Sequence, residues 1–202
     1  MNKSHVFNGL KMKTLLISLG FTFICCASST EYVKPGVDFN KYNRIAVLPL
    51  IDYSTHPGSG VQVSDILALS LLKYGIDAID RSQTTSILNE QNLGLYGIVD
   101  ASTAPNVGKL LGVRCIITGS INEWSSTTVN IQMVQGANPA YMPISAAGFS
   151  LKLIDCETGE IIWASSARGS TTGNEMQAVA AQKAADKVAD QLAKRLRSGS
   201  RE

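Results

Sequence analysis

The sequence predicts an α/β domain: a mixed β-sheet flanked by helices and closed by a long C-terminal helix. Three observations predict it. Short apolar runs alternate with helix-like segments through the first half of the body. Three strand-like segments then follow one another as a meander. The last stretch, 175–197, is charged and alanine-rich at helical spacing. Together these give parallel and antiparallel neighbours in one sheet.

The elements follow in order. Residues 44–50, Arg-Ile-Ala-Val-Leu-Pro-Leu, form a short apolar run that reads as a buried strand. Residues 52–60 hold Ser, Thr, Pro and Gly and read as a loop. Ser64 and Asp65 offer a helix cap, and Gly75 a stop, for a helix to about Tyr74. That helix carries Ile66, Leu67, Leu69, Leu71 and Leu72, apolar nearly all round, so the sheet plus another helix or a neighbouring subunit must cover it. A strand over 76–80, a helix over 83–91 and a short helix over 105–111 follow, the last stopped by Gly112. Strands are expected over 113–122 and 127–135, with Gly119 marking a bulge or a close backbone approach in the first. Pro139 and Pro143 read as a loop. Strands over 146–155 and 161–168 flank a hairpin turn at Glu157-Thr158-Gly159-Glu160. Residues 169–173 read as a turn, and Asn174 as the cap of the final helix. In that helix Ala181, Ala185, Ala189 and Ala193 make a ridge of small residues. Two readings of the ridge stay open: close packing on the domain's own sheet, or on a partner helix.

Length and charge bound the function. The chain has 202 residues, 45% hydrophobic and 17% charged, which suits one domain with a real core. No apolar run reaches the ~18–20 residues of a transmembrane helix. The net charge is +2, but Lys3, Lys11 and Lys13 lie in the first 25 residues, leaving a body of 15 basic and 16 acidic residues. A near-neutral body without a basic stripe argues against nucleic-acid binding.

The N-terminus reads as an export signal: lysines, an apolar run over 14–24, then Cys25-Cys26-Ala-Ser-Ser. Met1 and Met12 both suit a start. The segment resembles a bacterial lipoprotein signal, in which a diacylglycerol-modified cysteine becomes the first mature residue. Cys26, preceded by the small Cys25 rather than by bulky Ile24, fits that role. Only a thiol forms the thioether, and more than one acyl chain is needed for a lasting anchor. Residue 27 is Ala and not Asp, which by resemblance to lipoprotein sorting points to the periplasmic face of the outer membrane. The expected organisation is a signal peptide over 1–25, a lipidated tether over 26–43 and the α/β domain over 44–198.

No catalytic constellation is visible. His56 stands alone in its loop, and His5 lies in the leader. No cluster of His, Cys, Asp or Glu has metal-ligand spacing, no phosphate loop follows a strand, and no Gly-x-Ser-x-Gly motif occurs. Asp52, Asp65, Asp77 and Asp80 flank strand ends, where capping explains them. The expectation is a protein that is not an enzyme, with no cofactor and no metal. Two readings of Cys115 and Cys156 stay open: a disulfide in an oxidising compartment, or one buried and one exposed thiol. Should the domain bind a partner, Trp124 and Tyr141 are the expected contacts, because aromatic side chains are enriched at interface cores.

Several stretches, in order, resemble the CsgG-like family of curli-secretion lipoproteins. They are Arg44-Ile-Ala-Val-Leu-Pro-Leu50, Asp80-Arg81, Ile87-Leu88-Asn-Glu90-Gln91, Leu111-Gly112-Val113, Thr118-Gly119-Ser120-Ile121 and Leu153-Ile-Asp155-Cys-Glu-Thr-Gly159-Glu160-Ile161. The resemblance spans roughly Arg44 to Ala167. It implies a periplasmic domain tethered to the outer membrane that works on other envelope proteins in assembly or secretion. In the curli protein the subunits form a ring, and each adds two amphipathic hairpins to a shared barrel. A membrane hairpin needs two strands of ~9–11 residues. Between Asn122 and Ala146 there is room for one short hairpin at most, and between Arg168 and Glu175 there is room for none. The expectation is therefore a non-enzymatic envelope component, held at the outer membrane by its lipid anchor, that contacts other envelope proteins and can form a homo-oligomer. The alternatives are a ring-forming secretion channel and a peptidoglycan-synthase activator.

Overall fold

A computed structural model of the chain describes residues 28–79, 84–86, 102–131, 140–173 and 175–198. Its strands are β1 (Ser28–Val33), β2 (Arg44–Val47), β3 (Asp77–Ile79), β4 (Cys115–Ile131), β5 (Ala140–Asp155) and β6 (Ile161–Thr172). Its helices are α1 (Ser59–Lys73), α2 (Ala104–Leu111) and α3 (Gln177–Ser198). The sheet order is β1-β6-β5-β4-β2-β3. β2 runs parallel to β3 and β4, and the other pairs are antiparallel, so the sheet is mixed as expected. The helix expected over 83–91 lies outside the described residues except for 84–86, which are helical. The stretches at Asp80-Arg81 and 87–91 are likewise outside them.

Alternation along β2 splits the core in two. Ile45 and Val47 face a large cluster shared with α1 and α3, while Ala46 and Leu48 face a smaller one shared with α2. The alanine ridge of α3 lies on the large-cluster face, with Ala181, Ala185, Ala189 and Ala193 all buried. Gly169 on β6 makes the close approach possible: a Cβ there would lie 2.0 Å from the Ala180 carbonyl oxygen. The ridge thus packs on the chain's own sheet. Gly119 behaves as its place in a strand predicts, since a Cβ there would lie 2.0 Å from the carbonyl oxygen of Ser150.

Several expectations are corrected. Residues 169–172, read as a turn, continue β6 to Thr172. The polar stretch after Cys26 is not only a tether, because Ser28–Val33 pairs with β6 from Ser28↔Arg168 to Val33↔Trp163. The strands expected over 113–122 and 127–135 are one strand. A bulge between Ile121 and Glu123 shifts the alternation, so the core side passes from Ile121 to Trp124 and the sequence pattern looks broken. Pro143, expected in a loop, sits inside β5. Its carbonyl accepts from Gly173 N–H at 2.9 Å, so its nitrogen points to that same side, just past the end of β6, where no ladder bond is lost.

Helix α1 begins five residues earlier than Ser64. Asp52 caps it, accepting from the N–H groups of Gly58 (2.8 Å) and Gly60 (2.7 Å). Ser64 lies inside the helix, where its hydroxyl accepts from Leu50 N–H at 3.0 Å and donates to the Gly60 carbonyl at 2.7 Å. α1 is joined to α3 through Gln182 Nε2 to Ser70 Oγ (2.8 Å) and Lys73 to Asp186 (2.7 Å).

Candidate interaction surface

Two polar clusters pin the ends of the sheet. On β1, Glu31 accepts from the indole N–H of Trp163 at 2.7 Å and from Arg195 of α3 at 3.1 and 2.8 Å. The Arg195 guanidinium, aided by the indole, holds the Glu31 carboxyl below the usual carboxylate range against the opposing effect of burial. At the other end, Asp155 is buried at the β5–β6 turn. It accepts from the Tyr42 hydroxyl, from Lys41 Nζ (2.9 Å) and from the N–H groups of Glu157 (2.6 Å) and Thr158 (3.2 Å). Burial pulls the Asp155 carboxyl upward, but these donors outweigh it and hold the carboxyl low. Burial, then the hydrogen bond donated to Asp155, pushes the Tyr42 phenol up to about 12. A carboxylate with every lone pair engaged and a phenol this hard to ionise are staples of the fold, not an acid–base pair.

Cys115, Cys156 and His56 are the other groups that the sequence singles out. Cys115 and Cys156 are free thiols, and both are buried. Cys115 belongs to the large cluster and Cys156 to the small one, so they sit on opposite faces of the sheet. The expected exposed thiol is thus buried as well. Burial pushes both upward, Cys156 to about 12, which leaves them protonated and unreactive at neutral pH. The His56 ring pairs with Thr55, Nδ1 to Oγ1 at 2.9 Å, beside the Tyr53 ring. Among the described residues no group of three His, Cys, Asp or Glu side chains could hold a metal ion. Among them, too, no helix is long and apolar enough to cross a membrane.

Surfaces for contact are better developed. Trp124 is 8% exposed and belongs to the core, so it does not present a surface; the bulge that re-phases β4 turns it inward. Tyr141 is 68% exposed. It stands on the part of β4 and β5 that continues beyond β6 as a two-stranded ribbon, from Thr128↔Pro143 to Ile131↔Ala140. Pairing puts Val129 and Met142 on one face of the ribbon and Asn130 and Tyr141 on the other. The outer side of α1 exposes Leu69 and Leu72, so that part of the helix is left uncovered among the described residues. Cys26 and residues 1–25 lie outside the described residues. The ribbon is the one short hairpin for which the sequence leaves room between Asn122 and Ala146. Its signal is present: residues 124–151 contain no charged side chain, between Glu123 and Lys152.

A family model described as the curli production assembly/transport component CsgG matches residues 40–184. The PelC dodecamer from Paraburkholderia phytofirmans has a similar fold, with a TM-score of 0.54 at 19% identity, over 83% of this chain and 97% of that one. Lipoprotein GNA1162 from Neisseria meningitidis gives a TM-score of 0.54 at 14% identity, over 75% of this chain and 98% of that one. No protein in a search of curated sequences matches.

Proposed function

Since this chain belongs to the CsgG family, we propose that it is a bacterial envelope lipoprotein that works by protein contact and not by catalysis. It is anchored through Cys26 to the periplasmic face of the outer membrane and serves envelope assembly or secretion. The observation that carries the reading is the pairing of a lipoprotein-like leader with a domain whose buried carboxylate, phenol and thiols are all tied into the fold. Similarity to a chain named as a lipoprotein supports the anchor. A partner bound at the membrane fits a protein with no charged stripe for nucleic acid.

A second reading, a ring of copies, is favoured by the likeness to PelC, which crystallised as a dodecamer. The test for both is the mass of the acylated protein extracted from outer membranes in mild detergent, with negative-stain images of the same sample. A discrete ring supports the ring reading and calls for a conductance measurement. A monomer or small oligomer overturns it and leaves the contact role, to be pursued by crosslinking in the periplasm. Cys26→Ser tests the anchor: a protein still retained in the membrane with its acyl groups would sink it.

A further inference from the structure

β1 ends the sheet on one side and leaves an unpaired edge. Lys34 N–H donates to the Ile162 carbonyl at 3.0 Å, so the even-numbered residues of this stretch turn their backbone groups toward β6. The N–H and C=O groups of Ser29, Glu31 and Val33 therefore point away from the sheet. Among the described residues none of these groups has a hydrogen-bond partner. Edge strands are ordinarily blunted by shortness, lysine, proline or a bulge. β3, at the opposite edge, has only 3 residues. β1 has 6, Ser-Ser-Thr-Glu-Tyr-Val, with no lysine, no proline and no shift of register. Its one charge, Glu31, is already neutralised by Arg195.

Both faces beside this edge have a definite chemistry. On the face away from α3, Tyr32 is 55% exposed and lies opposite the small Ala164, so its ring is open to the side chain of an added strand. On the other face α3 runs along β1. Gln191 donates to Ser29 Oγ at 2.9 Å, and Arg195 to Glu31. Lys187 and Lys194, one turn to either side of Gln191, share its flank of α3, and both are exposed. With Arg195 they outnumber the acids there, Glu31 and Asp190, which leaves an excess of positive charge. A second copy of this edge fits badly. The antiparallel register that would use Ser29, Glu31 and Val33 of both copies sets Glu31 against the Glu31 of the other copy, and like charges directly opposite are destabilising.

We propose that β1 receives an extended segment of another envelope protein as an added strand, with an apolar side chain against Tyr32 and acidic side chains toward Lys187, Lys194 and Arg195. This rests on the reading that the chain works by protein contact, and it names where the contact is made. Main-chain hydrogen bonds to Ser29, Glu31 and Val33 supply the attachment, and the alternating side chains supply the selection. The bonds of Glu31 to Trp163 and Arg195 already hold the strand against the core, so the partner meets a preformed template.

The test uses the full-length protein in detergent micelles and two fluorescent peptides of equal length. One alternates valine with glutamate, the other valine with lysine. Anisotropy reads binding, and amide hydrogen exchange reads the site. The glutamate peptide should bind at least about tenfold more tightly than the lysine peptide. It should also slow exchange over residues 28–33. Ser29→Pro removes an outward N–H and leaves the ladder to β6 intact, and should weaken binding about fivefold. Lys187→Glu, on the exposed flank of α3, should narrow the gap between the two peptides, and thermal unfolding checks that both variants are folded. Equal binding of the two peptides overturns the acidic partner. Binding without slowed exchange over 28–33 overturns the edge as its site. Outward amides already slow in the protein alone overturn the open edge, and slowing that grows with protein concentration identifies a second copy as the occupant. If neither peptide binds while periplasmic crosslinking still captures envelope proteins, the edge is overturned and the contact role stands. If crosslinking captures none, the contact role itself falls.

Discussion

Glu31 on β1 and Arg195 on α3, 164 positions apart, form two parallel hydrogen bonds of 3.1 and 2.8 Å. The same carboxylate accepts the indole N–H of Trp163, whose ring is fully buried. The first strand, the core of β6 and the last helix therefore meet at one side chain. The Arg195 head is largely in water, so its share is modest. The indole N–H is different, since no other acceptor is seen for it once Glu31 is gone.

Glu31→Ala should therefore lower stability by about 1–3 kcal/mol. Glu31→Gln should lose less, because an amide oxygen still accepts from the indole. Urea unfolding followed by tryptophan fluorescence checks both. Equal losses for the two variants would place the stabilisation in the charge and not in the indole bond.

Acid should loosen the fold. Glu31, Glu123, Asp155 and Asp186 are all held below their ordinary values. A carboxyl with a folded pKa below its unfolded pKa contributes stability that is present above the unfolded value. That stability is lost as pH falls through the folded value. Stability should thus hold from neutrality to about pH 5 and decline below about pH 4. Asp155→Asn should be less stable at neutral pH and should show a shallower acid decline, measured by urea midpoints across the range.

Much of this fold was legible in the sequence, and the misses share a cause. Apolar runs and stop residues located β2, α1, α2 and α3 because the local pattern there matches one period. β1 was missed because an edge strand covered on one face shows Ser-Ser-Thr-Glu-Tyr-Val, with little apolar contrast. β4 looked like two strands because one extra residue at the bulge reverses the alternation. Pro143 hid the start of β5, since its tolerance depends on where β6 ends, which is a long-range fact. At the candidate surface, Tyr141 was legible as an aromatic residue near prolines. Trp124 was not, because a strand residue's side depends on the phase of the bulge.

Gly169→Ala is expected to cost about 1–3 kcal/mol by overpacking, because the new Cβ meets the α3 backbone and not a movable side chain. Gly148→Ala is the matched control in the neighbouring strand. Its Cβ would find ordinary contact at 3.4 Å with Glu123, and its effect should stay within about 0.5 kcal/mol. Chemical denaturation of both variants separates a tight helix–sheet approach from a general dislike of side chains in the sheet.

The two thiols of the body should titrate as free but slow. Cys115 and Cys156 are buried on opposite faces, and burial raises both pKa values. A thiol reagent at neutral pH should label neither in the folded protein and both in denaturant without reductant. Protein purified from the periplasm that gives no thiol in denaturant until reduced would show that the two are bridged there.

Trp124 and Tyr141 provide the sharpest contrast between core and surface. They lie on the same hairpin, on β4 and β5, yet one is buried and the other exposed. Trp124→Ala empties a large volume from the core and should cost about 3–5 kcal/mol. Tyr141→Ala removes an exposed ring and should change stability by no more than about 0.5 kcal/mol. Function should divide the other way. Loss of Tyr141 should weaken partner capture by a fully folded protein, whereas any loss in the Trp124 variant should track its unfolded fraction. Thermal unfolding and capture measured on the same samples decide this. A stable Trp124→Ala protein would mean that the bulge does not hold the indole in the core.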